Sequence, residues 1–285
     1  SLLKPYYTAR HIKETYDFSS ANCYRKYGKN YKEIYGELAH RRLQSWGLNT
    51  IANSSDKDIC LMSKTPYIER LEIHSAPIDG TGGLWWQLSD PFDPSFKAEL
   101  KAQLATREKE LNDPYLVGLF IDNELKWGNE SYLAEKAAQN PATAAVKREL
   151  VKHYQKKYRS IAKLNTVWGT SFASWKALLA NTEALPKQAS ADLVEFNDLI
   201  IHKYFRNCRE VFNEYAPGLL YLGCRFSNSN KKAIVIGAQY CDAISHNFYR
   251  LTLEDYTQPE GIDKPMIVGE FHFGTRDRGM FHHSL

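Results

Sequence analysis

The sequence predicts an α/β chain whose parallel strands alternate with helices in a (β/α)8 TIM barrel, and three observations lead there. Short β-rich apolar runs alternate with helical patterns long enough to cross over from one parallel strand to the next. Nearly every run ends in a polar or aromatic cluster, which suits a barrel with all strand tips on one face better than a doubly wound sheet with one switch point. No Gly-x-Gly-x-x-Gly or Walker loop follows a run, so a nucleotide-binding sheet lacks its usual mark. The 285 residues hold no repeat, low-complexity tract or long linker, and one continuous domain over residues 1–285 is expected.

The elements follow in order. A first helix is predicted from about Tyr31 to Trp46, with Ile34, Leu38, Ala39, Leu43 and Trp46 on one face and Gly47 as its C-cap. A strand over Leu48 to Asn53 comes next, then another ending at His74, then a loop rich in Gly, Pro and Asp that carries Trp85 and Trp86. Ser95 is expected to cap a helix whose inward row is Phe96, Leu100 and Leu104 and which ends near Asn112. Tyr115 to Leu125 is an almost unbroken apolar run turning acidic at its tip, the pattern of a strand buried on both faces. Helices are expected around 131–139 and 142–158, with a short helix and an aromatic turn over Ile161 to Trp175. A long helix from about Asp192 to Tyr215 presents Leu193, Phe196, Ile200 and Tyr204. Apolar runs over 220–226, 241–249 and 265–271 close the series.

Bulk properties exclude more than they assign. With 43% hydrophobic and 25% charged residues the chain is an ordinary folded globule. The net charge, 37 − 33 = +4, is too small and too scattered for a nucleic-acid groove. No apolar stretch approaches the roughly 18 residues of a membrane span. The chain begins SLLKPYYTAR, without a signal-peptide pattern. Its five cysteines are widely spaced, with no Cys-x-x-Cys and no His at metal-ligand spacing, so neither a metal site nor a redox pair is expected, and buried free thiols are.

Two acidic residues stand apart from those on helical faces. Glu124 and Glu270 each close an apolar run, which sets a carboxylate at the rim of a low-dielectric interior. Strand alternation places Phe120, Asp122 and Glu124 on one face, and Val268, Glu270 and His272 on one face, so both glutamates are expected at the barrel mouth. A structural ion pair with Arg225, Arg276 or Arg278 is the competing role for either. Two facing carboxyl groups hydrolyse a glycosidic bond without any cofactor, one protonating the leaving oxygen while the other attacks the anomeric carbon or activates water. Asn53, His74, Asn123, Asn247, Tyr249 and His272 occupy or adjoin strand tips, on the face where a barrel sets its active site. Of the six tryptophans, Trp46, Trp168 and Trp175 are expected in the core, and Trp85, Trp86 and Trp127 in a sugar channel.

The segments IDNELKWG (121–128) and VGEFHFGTRDRGMFH (268–282) resemble the two catalytic segments of glycoside hydrolase family 50, the β-agarases. YRKYGKNYKE, RLQSWGLNTIANSSD, DPFDPSF, LNTVWGTSFASW and SHNFYR resemble that family in the same order, over nearly the whole chain. The resemblance implies that Glu124 is the acid/base and Glu270 the nucleophile of a retaining enzyme. It also implies that Asn123 holds the neighbouring sugar hydroxyl and that Tyr249 keeps the nucleophile ionised. Asn247, His272 and Asp277 would line the glycone subsites. The implied substrate is agarose, cleaved at β-1,4 bonds to neoagaro-oligosaccharides, by a secreted or periplasmic protein without metal. A β-galactoside or related galactan is the alternative substrate, and binding of agaro-oligosaccharides without turnover the alternative function. Aligned with the family, the chain shows strands two to seven, so an incomplete barrel, with strands one and eight not evident, is expected.

Overall fold

The structure is a computed structural model that describes His11 and residues 17–82, 86–227, 229–250 and 252–271. It opens with α1 (Phe18–Tyr27), α2 (Tyr31–Ser45) and α3 (Lys57–Cys60), followed by β1 (Tyr67–Leu71), α4 (Pro94–Ala105), α5 (Glu108–Leu111) and β2 (Leu116–Ile121). The middle of the chain is helical: α6 (Tyr132–Gln139), α7 (Ala145–Tyr158), α8 (Ile161–Trp168), α9 (Trp175–Ala180) and α10 (Ser190–Tyr215). Then come β3 (Leu220–Tyr221), α11 (Lys231–Ala238), β4 (Ile244–Asn247) and β5 (Met266–Glu270).

The strands lie side by side in chain order and all run parallel. Ile51 bridges Tyr67 at the start of β1, β1 pairs with β2, β2 with β3, and β4 with β5. Beyond β3 the Phe226–His246 bridge joins the chain to β4. A doubly wound sheet reverses its strand order at a switch point; this run does not reverse, and among the described residues it does not close into a ring. At Gly118 a Cβ would stand 2.3 Å from the Leu220 carbonyl oxygen, so glycine lets β2 and β3 approach.

The core fills the space between strands and helices. Phe96, Leu100 and Leu104 of α4 are buried, as are Leu193, Phe196, Ile200 and Tyr204 of α10. Those inward rows follow from helical spacing alone. Trp168 is buried and Trp175 packs against the same core. All five cysteines are free, and Cys60, Cys208, Cys224 and Cys241 are buried.

Several expectations need correcting. The cap of α4 is Asp93, whose carboxylate accepts the Ser95 N–H and hydroxyl at 2.9 and 2.6 Å. Pro94 then takes the first helical position, where a missing N–H costs nothing. The segment 48–53 pairs only at Ile51. On α2 the buried residues are Gly36 and His40, while Ile34 is 38% and Trp46 68% exposed. His40 explains the rotation: its ring nitrogens meet Thr65 Oγ1 at 2.8 Å and the Ile59 carbonyl at 3.1 Å, so the helix turns a polar residue inward. Helices α1 and α11 have no counterpart in the sequence reading.

Candidate active site

The tips of β2, β3, β4 and β5 converge on a single polar cluster. After Ile121 the chain leaves the extended conformation, and Asp122 and Glu124 take φ of 65° and 51°. Strand alternation therefore ends at Ile121, and a turn, not the strand face, aims Glu124. Asp122 anchors the turn: its carboxylate accepts the Ile73 N–H at 2.7 Å and the Tyr204 hydroxyl at 2.6 Å. Burial nevertheless pushes Asp122 up to about 6.

Asn247 joins the two halves. Its Nδ2 donates to Glu124 Oε1 at 2.7 Å and to Asn123 Oδ1 at 3.3 Å, and in the parallel register its partner residue is Glu270. Glu270 accepts from the Arg225 guanidinium through Oε1 and from the Tyr249 hydroxyl through Oε2. The ion pair with Arg225 weighed from sequence is thus present; Arg276 and Arg278 lie outside the described residues. Tyr249 is 51% exposed; burial and the adjacent Glu270 carboxylate hold its phenol well above the ordinary value. At Gly269 a Cβ would fall 2.9 Å from Asn247 Oδ1 and 3.0 Å from Arg225 Nε, so only glycine leaves both side chains in place.

Aromatic rings gather around His246 of β4. The His246 ring stacks on Phe248 with centroids 4.8 Å apart, and its Nε2 meets the Tyr256 hydroxyl at 2.9 Å. Burial draws His246 down to about 4, which keeps the imidazole neutral at physiological pH. The sequence reading did not single out this group, and the only sign of it is the alternation of His and aromatics in SHNFY.

The remaining predicted residues divide. His74 is exposed beside Glu72, at 3.5 Å, and edge-on to Trp86, with centroids 5.1 Å apart. It lies near enough to act on the Asp122 charge. Asn53 is half-buried and its amide donates to Ser54 Oγ at 3.3 Å. Trp127 is a correction. It is 1% exposed, stacked on Phe205 and edge-on to Tyr204, and so forms part of the core. Trp85, His272 and Asp277 lie outside the described residues. Among the described residues no group of three or more His, Cys, Asp or Glu is placed to hold a metal ion, and no helix is long and apolar enough to cross a membrane.

Parallel strands in chain order, with Glu124 and Glu270 beyond or at the tips of β2 and β5, are consistent with a barrel glycosidase. Residues 89–268, more than half of the chain, match the glycoside hydrolase 42 family model, described as beta-galactosidase, and the chain belongs to that family of glycoside hydrolases. Over nearly its whole length it is also similar to proteins named as β-agarases. It is 32% identical to beta-agarase B of Vibrio sp. (strain JT0107), over 94% of this chain and 30% of that protein. Beta-agarase A of the same strain is 31% identical over 88% of this chain and 28% of its own length. A solved agarase superposes with a TM-score of 0.83 at 30% identity, covering 95% of this chain and 41% of its own. A solved exo-beta-agarase gives 0.83 at 28% identity over 94% and 39%. The β-galactosidase of the psychrophilic Marinomonas ef1 shares the fold at 12% identity with a TM-score of 0.51, over 78% of this chain and 40% of its own. The chain spans about a third of the curated relatives it matches.

Proposed function

We propose that this chain carries the catalytic centre of a retaining β-agarase, which cleaves the β-1,4 bonds of agarose to neoagaro-oligosaccharides. Glu270 attacks the anomeric carbon while Glu124 gives its proton to the departing glycosidic oxygen, leaving a glycosyl ester on Glu270. Glu124, now a carboxylate, takes a proton from water, and the water oxygen displaces Glu270 and restores both groups. Asn123 holds the hydroxyl beside the reacting carbon, Tyr249 favours the ionised nucleophile, and Asn247, with His272 and Asp277, borders the glycone. Asn53, His74, Trp85 and Trp86 line the approach. In this reading the parallel strands and the Ile51 bridge are strands two to seven of an incomplete (β/α)8 barrel, and a polymeric substrate outside the cell calls for a secreted or periplasmic protein.

The observation that carries the reading is the Asn247 amide, which binds Glu124 while its own backbone lies in register with Glu270. This supports a reading in which two carboxylates from strands far apart in the chain act on one bond; retention calls for carboxyl groups about 5–5.5 Å apart. The test is hydrolysis of agarose and neoagarotetraose, with NMR assignment of the first-formed anomer. The β-anomer first, with activity lost in Glu124→Gln and in Glu270→Gln, supports it, whereas either variant at full activity removes the assignment.

A second substrate is favoured by the beta-galactosidase family match over residues 89–268. Lactose hydrolysed faster than neoagarotetraose would make the chain a β-galactosidase or galactan hydrolase. Oligosaccharide bound in a calorimeter without product would make it a binding protein.

A further inference from the structure

One buried side chain, weighed from the sequence only as an ion-pair partner, touches both halves of the cluster. Arg225 is 1% exposed. Its backbone carbonyl accepts the Glu124 N–H at 3.2 Å, and its Nη2 donates to the Gly269 carbonyl at 3.1 Å and to Glu270 Oε1. The guanidinium lies over the Phe120 ring, 5.4 Å from its centroid. Its Nε and Nη1 meet no hydrogen-bond partner among the described residues. Arg225 has φ of 53°, a sparsely populated conformation that persists where surrounding contacts over-determine it.

We infer that Arg225 is the positioning residue that makes the two carboxylates one site, its main chain seating Glu124 and its guanidinium orienting Glu270 as an anion. This rests on the hydrolase reading above. A buried cation is costly without its counter-ion, and a cation beside a carboxylate favours the ionised form. The charged and titratable groups acting on the guanidinium are Glu270, Glu124, Tyr249 and Arg70. Burial draws Arg225 itself down, and Glu270 and Glu124 oppose that. The balance changes during turnover. Once Glu270 is esterified its charge is gone, and Glu124 is the carboxylate left acting on the cation. A residue that served only to close the fold would have no reason to touch both catalytic tips.

The experiment is the pH profile of kcat/KM on neoagarotetraose for wild type, Arg225→Met, Arg225→Lys and Phe120→Leu. In Arg225→Met the acid limb of the profile is expected to move up, with a loss of at least about 100-fold in kcat/KM. Arg225→Lys keeps the charge without the planar fork; its limb is expected nearer to wild type while kcat stays low. Phe120→Leu leaves both guanidinium hydrogen bonds and removes the ring beneath them, so a smaller upward move keeps the inference testable where Arg225→Met does not fold. An acid limb that stays at the wild-type position in Arg225→Met, or in Phe120→Leu where Arg225→Met does not fold, overturns it, whatever the loss of rate. A wild-type protein that hydrolyses neither agarose nor lactose overturns the hydrolase reading instead, and this inference with it.

Discussion

Asp122 makes the turn beneath Glu124 sensitive to pH in a way that an unfolding experiment reads directly. It is 1% exposed and accepts hydrogen bonds from Ile73 and Tyr204, yet burial raises it from 3.8 to about 6. An unfolded Asp releases its proton near 3.9. Between about pH 4 and pH 6 the native chain therefore holds a proton that the unfolded chain has lost, and stability falls as pH rises through that window. A rise of about 2 units at 1.36 kcal/mol each makes about 3 kcal/mol. Asp122→Asn keeps the shape and removes the titration. The stability of the variant minus that of wild type should therefore increase by about 3 kcal/mol from about pH 4 to about pH 7. Asp90, raised by burial to about 6, and His246, lowered by burial to about 4, also titrate in this range. Both are common to the two proteins and cancel in the difference. Replacing one Tyr204 hydrogen bond by another sets a constant offset and leaves the slope. Urea unfolding at intervals of about half a pH unit, extrapolated linearly to water, measures it. A difference that stays flat across the window would show that Asp122 titrates as in the unfolded chain, and the account of its burial would be wrong.

The other expectations concern packing. Gly269→Ala puts a methyl group 2.9 Å from Asn247 Oδ1 and 3.0 Å from Arg225 Nε. Such overpacking costs about 1–3 kcal/mol, and kcat on agarose should fall by more than about tenfold because both displaced groups hold a carboxylate. Thermal melting alongside rates separates the two effects. Trp127→Ala should cost about 3–5 kcal/mol as a core truncation and leave KM for neoagarotetraose unchanged, whereas a fully stable variant with weakened KM would return the ring to the substrate channel. Trp46, at 68% exposure, should tolerate Ala within about 0.5 kcal/mol by the same urea assay.

What was legible in the sequence follows from what each element buries. The run 116–121 reads as a strand because most of it is buried on both faces, and α10 reads as a helix because Leu193, Phe196, Ile200 and Tyr204 repeat toward one core. Helix α2 misleads for the converse reason: its apolar stripe is half exposed, and its orientation is set by His40 finding Thr65 and Ile59, contacts that a periodicity count does not see. Trp127 misleads similarly. A tryptophan just past a strand tip looks available to a ligand, but α10 brings Tyr204 and Phe205 over it.

The candidate site was legible in its carboxylates and not in what aims them. A glutamate closing an apolar run is conspicuous because it is costly there, and both Glu124 and Glu270 fit that description. Alternation was the wrong reason for Glu124. Three residues other than glycine, Asp122, Glu124 and Arg225, take left-handed φ of 65°, 51° and 53° at the neighbouring tips of β2 and β3, above strands of ordinary geometry. Each costs on the order of 1 kcal/mol or more, and each is held by a bond into a different element: Asp122 to Ile73 and Tyr204, Glu124 to Arg225 and Asn247, Arg225 to Gly269 and Glu270. Propensity offers no sign of such a set, because the bonds that hold these residues come from elements distant in sequence. Strain gathered at one end of the strands and offset by bonds among the polar groups themselves is what separates this cluster from a chance meeting of charges at the rim of a core.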